Sequence, residues 1–155
     1  ALGAGIHAML LYLVLSLPLG TVFEPKLLQF EEMASNLGKE AFVTNFRTLR
    51  QCLYNLQGGP NASSKPTVLD GLAFDEKVHM AKLGGTAKDL AKSDTGIIRL
   101  YLAVYFDDVD AMDEMLDRLK DHPVYDPTFS RQHVRMTYMG FASLILMPTS
   151  NKHKQ

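Results

Sequence analysis

Apolar residues recur at spacings of three and four along most of this chain. In KEAFVTNFRTLRQCLYNLQGG, Phe42, Val43, Phe46, Leu49, Leu53 and Leu56 share one face, with Arg47, Arg50 and Gln51 mostly off it. That period predicts an amphipathic helix, ended by Gly58-Gly59-Pro60. A preceding helix has Pro25 in its first turn, where the missing N–H costs nothing, carries Leu27, Leu28, Phe30 and Met33, and ends near Gly38. Earlier still, about Gly5 to Leu17 predicts a helix stopped by Pro18-Leu19-Gly20.

Downstream, Asp75 is placed to cap a helix beginning EKVHMAKLGG, which Gly84-Gly85 breaks or bends. A long helix is predicted from Thr86 to Phe106, weakened at Gly96. Its second half, IIRLYLAVYF, is apolar nearly all round apart from Arg99, as in a helix packed on several sides. Met112, Met115, Leu116 and Leu119 form one stripe of the next helix, with Pro123 past its end. A last helix runs from about Thr128 to Met147 and stops at Pro148. Val134, Thr137, Tyr138, Phe141, Leu144 and Ile145 are its expected inner face, and Gly140, Ala142 and Ser143 admit a close neighbour. PTVLDGLAF is ambiguous, and no Asn-Gly or Asp-Gly hairpin signal occurs. The expected fold is all-α: about five to seven helices in antiparallel α-hairpins, stacked as one degenerate helical repeat or bundle.

Composition narrows the chemistry. A formal net charge of −1 argues against bulk binding to nucleic acid. The single Cys52 excludes an intrachain disulfide and a Cys-based zinc site, and its place beside Leu53 predicts an inert, buried thiol. Ala8 to Leu17 is almost wholly apolar, but it falls short of the about 20 residues a bilayer span needs. A buried core helix is the preferred reading, with membrane attachment through residues 8–19 as its rival. The abrupt start and the polar end NKHKQ point to a piece of a longer protein. Asn61-Ala62-Ser63 matches a glycosylation acceptor and reads as a plain polar loop.

The acidic run Asp107, Asp108, Asp110, Asp113, Glu114 and Asp117 raises the question of a cation site. DDVDAMDEMLDR has Met112 where an EF-hand loop needs Gly and Arg118 where it needs Glu. The acids instead lie off the buried stripe, several at the positive end of a helix dipole, with Glu114 spaced for an ion pair with Arg118. NLGKEA lacks a phosphate loop's hydroxyl and first glycine, and GAGIHA lacks the strand that gives a dinucleotide fingerprint meaning. His7, His79, His122, His133 and His153 are scattered. No catalytic residue, cofactor or metal is therefore expected. Arg99 should pair with a carboxylate, since an unpaired buried charge is costly. A helical pocket around Arg99, Tyr101, Tyr105 and His133 is the alternative that would make the chain a small-ligand binder or an enzyme.

Two stretches carry a family resemblance. LRQCLYNLQGGPNASSKPTVLDGLAFDE and YLAVYFDDVDAMDEMLDRLKDHPVYDPTFSRQHVRMTYMGFASLILM resemble the tetratricopeptide-like helical region of large signalling proteins that also carry a P-loop ATPase module. Hybrid sensor histidine kinases and related serine/threonine kinases are among them. Asn55-Leu56 with Gly58, Pro66-Thr67 with Leu69, Gly71, Asp75 and Glu76, and Phe106-Asp107 with Ala111, His122 and Pro123 stand in matching places. Arg99 and Arg118 occupy places where such a repeat wants small residues, and no clean period of about 34 residues is visible. The resemblance implies no catalytic residue in this chain. It implies a cytoplasmic interaction or relay segment that binds a protein partner, or that couples flanking ATPase and kinase or cyclase domains. Neither nucleic acid nor membrane is an expected partner, and no feature of the sequence sets an oligomeric state.

Overall fold

A computed structural model describes residues 22–120 and 129–148. The expected helix over Gly5 to Leu17, the apolar run 8–19, and His7, His122, Pro123 and His153 lie outside the described residues. Six helices follow in order: α1 (Phe23–Asn36), α2 (Glu40–Gln57), α3 (Glu76–Ala81), α4 (Gly85–Tyr105), α5 (Val109–Lys120) and α6 (Phe129–Leu146). Among the described residues there is no strand, only an isolated bridge between Asp70 and Asp75. The fold is all-α, as the periodicity predicts.

α1 and α2 form the first hairpin. α1 ends in a left-handed cap, with Gly38 at φ 63° and the amides of Gly38 and Lys39 returning to the carbonyls of Ser35 and Ala34. Phe30 and Phe46 stack at 5.5 Å between centroids. Glu31 accepts from Arg47 at 2.7 Å and makes a 3.0 Å ion pair with Arg50 that lacks a hydrogen-bond angle. α2 then packs on α4, α4 on α5, and α6 on both α4 and α5.

α4 is the shared wall of two cores, which accounts for its apolar circumference. Ala91, Ile98, Tyr101 and Leu102 face α1, α2 and the long loop before α3. Ile97, Leu100 and Ala103 face α5 and α6, where they meet Met112, Met115, Leu116 and Leu119, all essentially inaccessible. Gly96 is a contact point rather than a weakness: a Cβ there would stand 3.1 Å from Leu119 Cδ2.

The corner between α4 and α5 is as tight as the first hairpin, without a glycine. Asp107 sits at φ 53°, and the amides of Asp107 and Asp108 return to the carbonyls of Val104 and Ala103. Asp108 then caps α5, its Oδ1 accepting from the Ala111 amide at 3.2 Å.

Three expectations need correction. Short loops hold for the hairpins, but Gly58 to Asp75 is one long connection, and α3 is a single short helix. The inner face of α6 is rotated from the expected one. Val134 and Tyr138 face inward as expected, joined by Ala142, Leu146 and Met139, whereas Thr137, Phe141, Leu144 and Ile145 are exposed. Arg135 lies on the buried side and donates to the Leu119 carbonyl at the negative end of α5. Finally, Gln51 is not off the apolar face of α2 but wholly buried within it.

An L-residue in the left-handed region costs free energy that glycine does not. Asp107→Gly is expected to stabilise the chain by about 1 kcal/mol, raising the melting temperature by about 2–4 °C, measurable by calorimetry.

Candidate functional site

The long loop is held from inside by two amides one helical turn apart on α2. Gln51 Nε2 lies within donating reach of the Asn55 Oδ1 (3.0 Å), the Asn61 carbonyl (3.1 Å) and, more distantly, Ser63 Oγ (3.4 Å). Its Oε1 accepts from the Ala73 amide at 2.9 Å. Asn55 Nδ2 donates to the carbonyls of Pro66 (2.9 Å) and Val68 (2.7 Å), and its Oδ1 accepts from the Ser63 amide at 2.9 Å. Ser63 Oγ accepts in turn from the Asp70 amide. Buried polar groups must be paired, and here the helix side chains pair the loop backbone that has no ladder of its own. Gly71 is required by contact: a Cβ there would come within 2.4 Å of Gln51 Nε2.

A second set of polar contacts, here called the clasp, ties this loop and α3 to α4, α5 and the corner between them. Asp108 Oδ2 accepts from Thr67 Oγ1 at 2.6 Å and pairs with Lys65 Nζ at 2.8 Å. Arg99 reaches the Thr67 carbonyl at 3.4 Å and forks onto both Glu114 oxygens at 3.3 and 3.2 Å. The expected Glu114–Arg118 pair is replaced across elements: Arg118 binds Glu76 at 2.7 Å, and Arg99 lies 4.0 Å from the same carboxylate. Partial burial works to raise the Asp108 pKa, but the hydrogen bonds from Lys65, Thr67 and the Ala111 amide outweigh it and hold the carboxyl below its ordinary 3.8.

Of the predicted site residues, Arg99 finds its carboxylate as expected. Tyr101 and Tyr105 leave the other side of α4. Tyr101 meets Tyr138 edge-on at 5.1 Å and stacks on Tyr105 at 6.3 Å. Burial, with Cys52 and Tyr138 adjacent, pushes the Tyr101 hydroxyl well up, and burial does the same to the Cys52 thiol. Neither group ionises near neutral pH, which fits the inert thiol read from the sequence. His133 is exposed on α6. Arg99 and the two tyrosines thus do not converge. Among the described residues, no group of His, Cys, Asp and Glu is arranged to hold a metal ion. Nor is any helix there long and apolar enough to cross a membrane.

Beside the clasp lies a groove of about 380 Å³ lined by Val68, Leu69, Asp70, Glu76, Lys77, Met80 and Lys92. Its loop wall is the segment that Asn55 and Ser63 fix. Its opposite wall is α3, capped by Asp75 Oδ1 on the Val78 amide at 2.8 Å as the sequence predicts. His79 anchors α3 to α2: Arg47 donates to its Nε2 at 3.1 Å, which leaves the Nδ1 proton for the Asp75 carbonyl at 2.8 Å.

Sequence reasoning missed Gln51, Asn55 and Thr67 as a unit. The available signal was two amides at i, i+4 inside an apolar stripe, followed by a loop too long to be idle. No family model, curated protein or solved structure matches the chain, so its functional reading rests on these residues.

Gly71→Ala must displace the buried Gln51 amide, with an expected loss of about 1–3 kcal/mol in urea unfolding. The Asp108 clasp predicts a pH dependence. Its folded pKa is depressed, so its stabilisation is complete above the unfolded value and is lost as pH falls from there through the folded value. Asp108→Asn should flatten the acid limb of the stability curve below about pH 4, measured by chemical denaturation across pH.

Proposed function

We propose that this chain is a non-catalytic helical-repeat segment of an intracellular, cytoplasmic signalling protein. It works as a docking and relay element, tetratricopeptide-like in the pairing of its helices. The observation that supports this best is an uncovered aromatic and aliphatic face across the end of α4 and the length of α6. Tyr105 and Leu144 are each 63% exposed and Phe141 is 50% exposed; Phe106, just past α4, and Met136 on α6 are exposed as well. The rings form a connected series: Tyr105 on Phe106 at 5.1 Å, Tyr105 on Tyr101, Tyr101 on Tyr138, and Tyr138 on Phe141 at 6.0 Å. From Met136 to Met147, α6 carries no charged residue.

Single exposed apolar residues are ordinary, but a contiguous patch of this kind marks an interaction site. Aromatic and Met residues are what interface centres favour, and an uncharged helix face is suited to the apolar stripe of another helix. Stacked hairpins supply the rigidity, because α4 is fixed on both sides and the loop is fixed to α2 and α5. The partner that fits is an amphipathic helix of a protein. Relay between flanking domains uses the same frame, since a load on the face passes through Tyr101 and α4 into both cores.

The test pairs Phe141→Glu with Leu144→Glu in the otherwise intact chain. Both side chains are largely in solvent, so helicity and melting temperature should stay close to those of the parent, within about 0.5 kcal/mol per change. A protein partner retained by the parent chain and crosslinked to α6 should be lost by the variant. Equal retention by both forms, or substrate turnover by the isolated chain, would sink the reading.

A further inference from the structure

The groove between the loop and α3 is distinct from the aromatic face and has its own chemistry. Its floor is apolar: Leu69 and Met80 are buried core residues and Val68 is half-buried. Its charged residues are not balanced. Glu76 is held by Arg118 at 2.7 Å, so its charge is already met. That leaves Lys77 and Lys92 against Asp70, two positive charges and one negative, for a local excess of one. Neither lysine makes an ion pair among the described residues; the pairs there involve Lys65 and Lys120. Lys92 is half-buried on α4 and Lys77 is exposed on α3, so the two flank the groove from different elements. Lys92 is further fixed through its carbonyl, which Arg118 reaches at 3.4 Å.

A concave site with an apolar floor and a few convergent polar groups is the usual form of a small-molecule site, and about 380 Å³ lies within the range such sites occupy. We propose that this groove binds a small amphiphilic organic acid. The apolar body lies on Val68, Leu69 and Met80, and the carboxylate is held by Lys77 and Lys92. Two ammonium groups without carboxylate partners supply charge-assisted hydrogen bonds to such an anion. The loop wall is set before the ligand arrives, by Asn55 on the Val68 carbonyl and Ser63 on the Asp70 amide, so binding needs little ordering. Because Glu76 lines the groove and also binds Arg118, occupancy meets the clasp at one carboxylate.

The experiment titrates the isotopically labelled full chain with octanoate, octylamine and octanol below their aggregation limits. Amide and methyl shifts are followed by NMR. Octanoate should saturate at one equivalent, with shifts centred on Val68, Leu69 and Met80. Octylamine and octanol should bind about tenfold more weakly, the scale of a lost charged hydrogen bond. Lys77→Met and Lys92→Met together should remove that preference while leaving the far-UV circular dichroism unchanged. Val68→Trp, at the half-buried part of the lining, should abolish binding by a route independent of charge, again with the circular dichroism unchanged. Failure of octanoate to saturate, equal binding of the three probes, or unchanged binding in either variant would overturn the proposal. The aromatic-face reading would survive any of these results, since its test uses residues on α6.

Discussion

Gln51 and Asn55 set the geometry of this molecule. They occupy an apolar helix face at the i, i+4 positions where leucines would serve packing equally well. Each uses both ends of its amide, and apart from the Gln51–Asn55 bond between them these bonds go to a loop that would otherwise bury unpaired backbone groups. An unpaired buried amide costs about 1–3 kcal/mol, about twice the net gain of a made bond. The pair therefore acts mainly by forbidding alternatives. Along the path taken from Ser63 to Ala73 these groups are paired, and Gly71 is the backbone position that lets the chain pass close enough.

From that fixed loop the remaining order follows outward. Thr67 and Lys65 are presented to Asp108, and Asp108 is at once the end of the α4 cap and the start of α5. A loop between the first and second hairpins thus sets the corner inside the second. Arg99 and Arg118 complete the connection through Glu114 and Glu76. The individual ion pairs are partly exposed and contribute modestly one by one. Their importance is positional, because each joins a different pair of elements.

Much of the helical plan was legible in the sequence, and the reasons are specific. Met112, Met115, Leu116 and Leu119 carry a stripe with no polar interruption, so α5 reads without ambiguity. Asp75 before EKVHMA, and the glycines at 84 and 85, mark boundaries by capping and backbone chemistry that act locally. The failures were tertiary. Hydrophobicity assigns Phe141 and Leu144 inward and Arg135 outward, yet α6 turns so that Arg135 meets the α5 carbonyl end. That partner lies on another element, outside the reach of a pattern read along α6 alone. Likewise Glu114 and Arg118 have ideal helical spacing, but each has a better-placed partner on another element. Gln51 reads as lying off the apolar face, because periodicity within α2 carries no sign of its loop partners. Its pairing lies ten to twenty-two residues away along the loop.

The same contrast separates the two candidate surfaces. The aromatic face exists because α6 places Ala142 and Arg135 inside together with Val134 and Leu146, and leaves Phe141, Leu144 and Ile145 outside. That exchange is unfavourable for an isolated domain, since Phe141 and Leu144 inside would bury more apolar area than Ala142 does. A stack that docks something on this face recovers the difference on association, which is the physical sense of treating the chain as an interaction segment. The groove has another origin: it lies beside a loop whose backbone is held by amides while Leu69 and Phe74 pack inward into the core. Hydrogen bonds fix the backbone of Val68 to Asp70 without filling the volume beside it, whereas leucines at 51 and 55 would draw the loop down onto the helix. A polar anchor and an open groove are thus two results of one choice on α2.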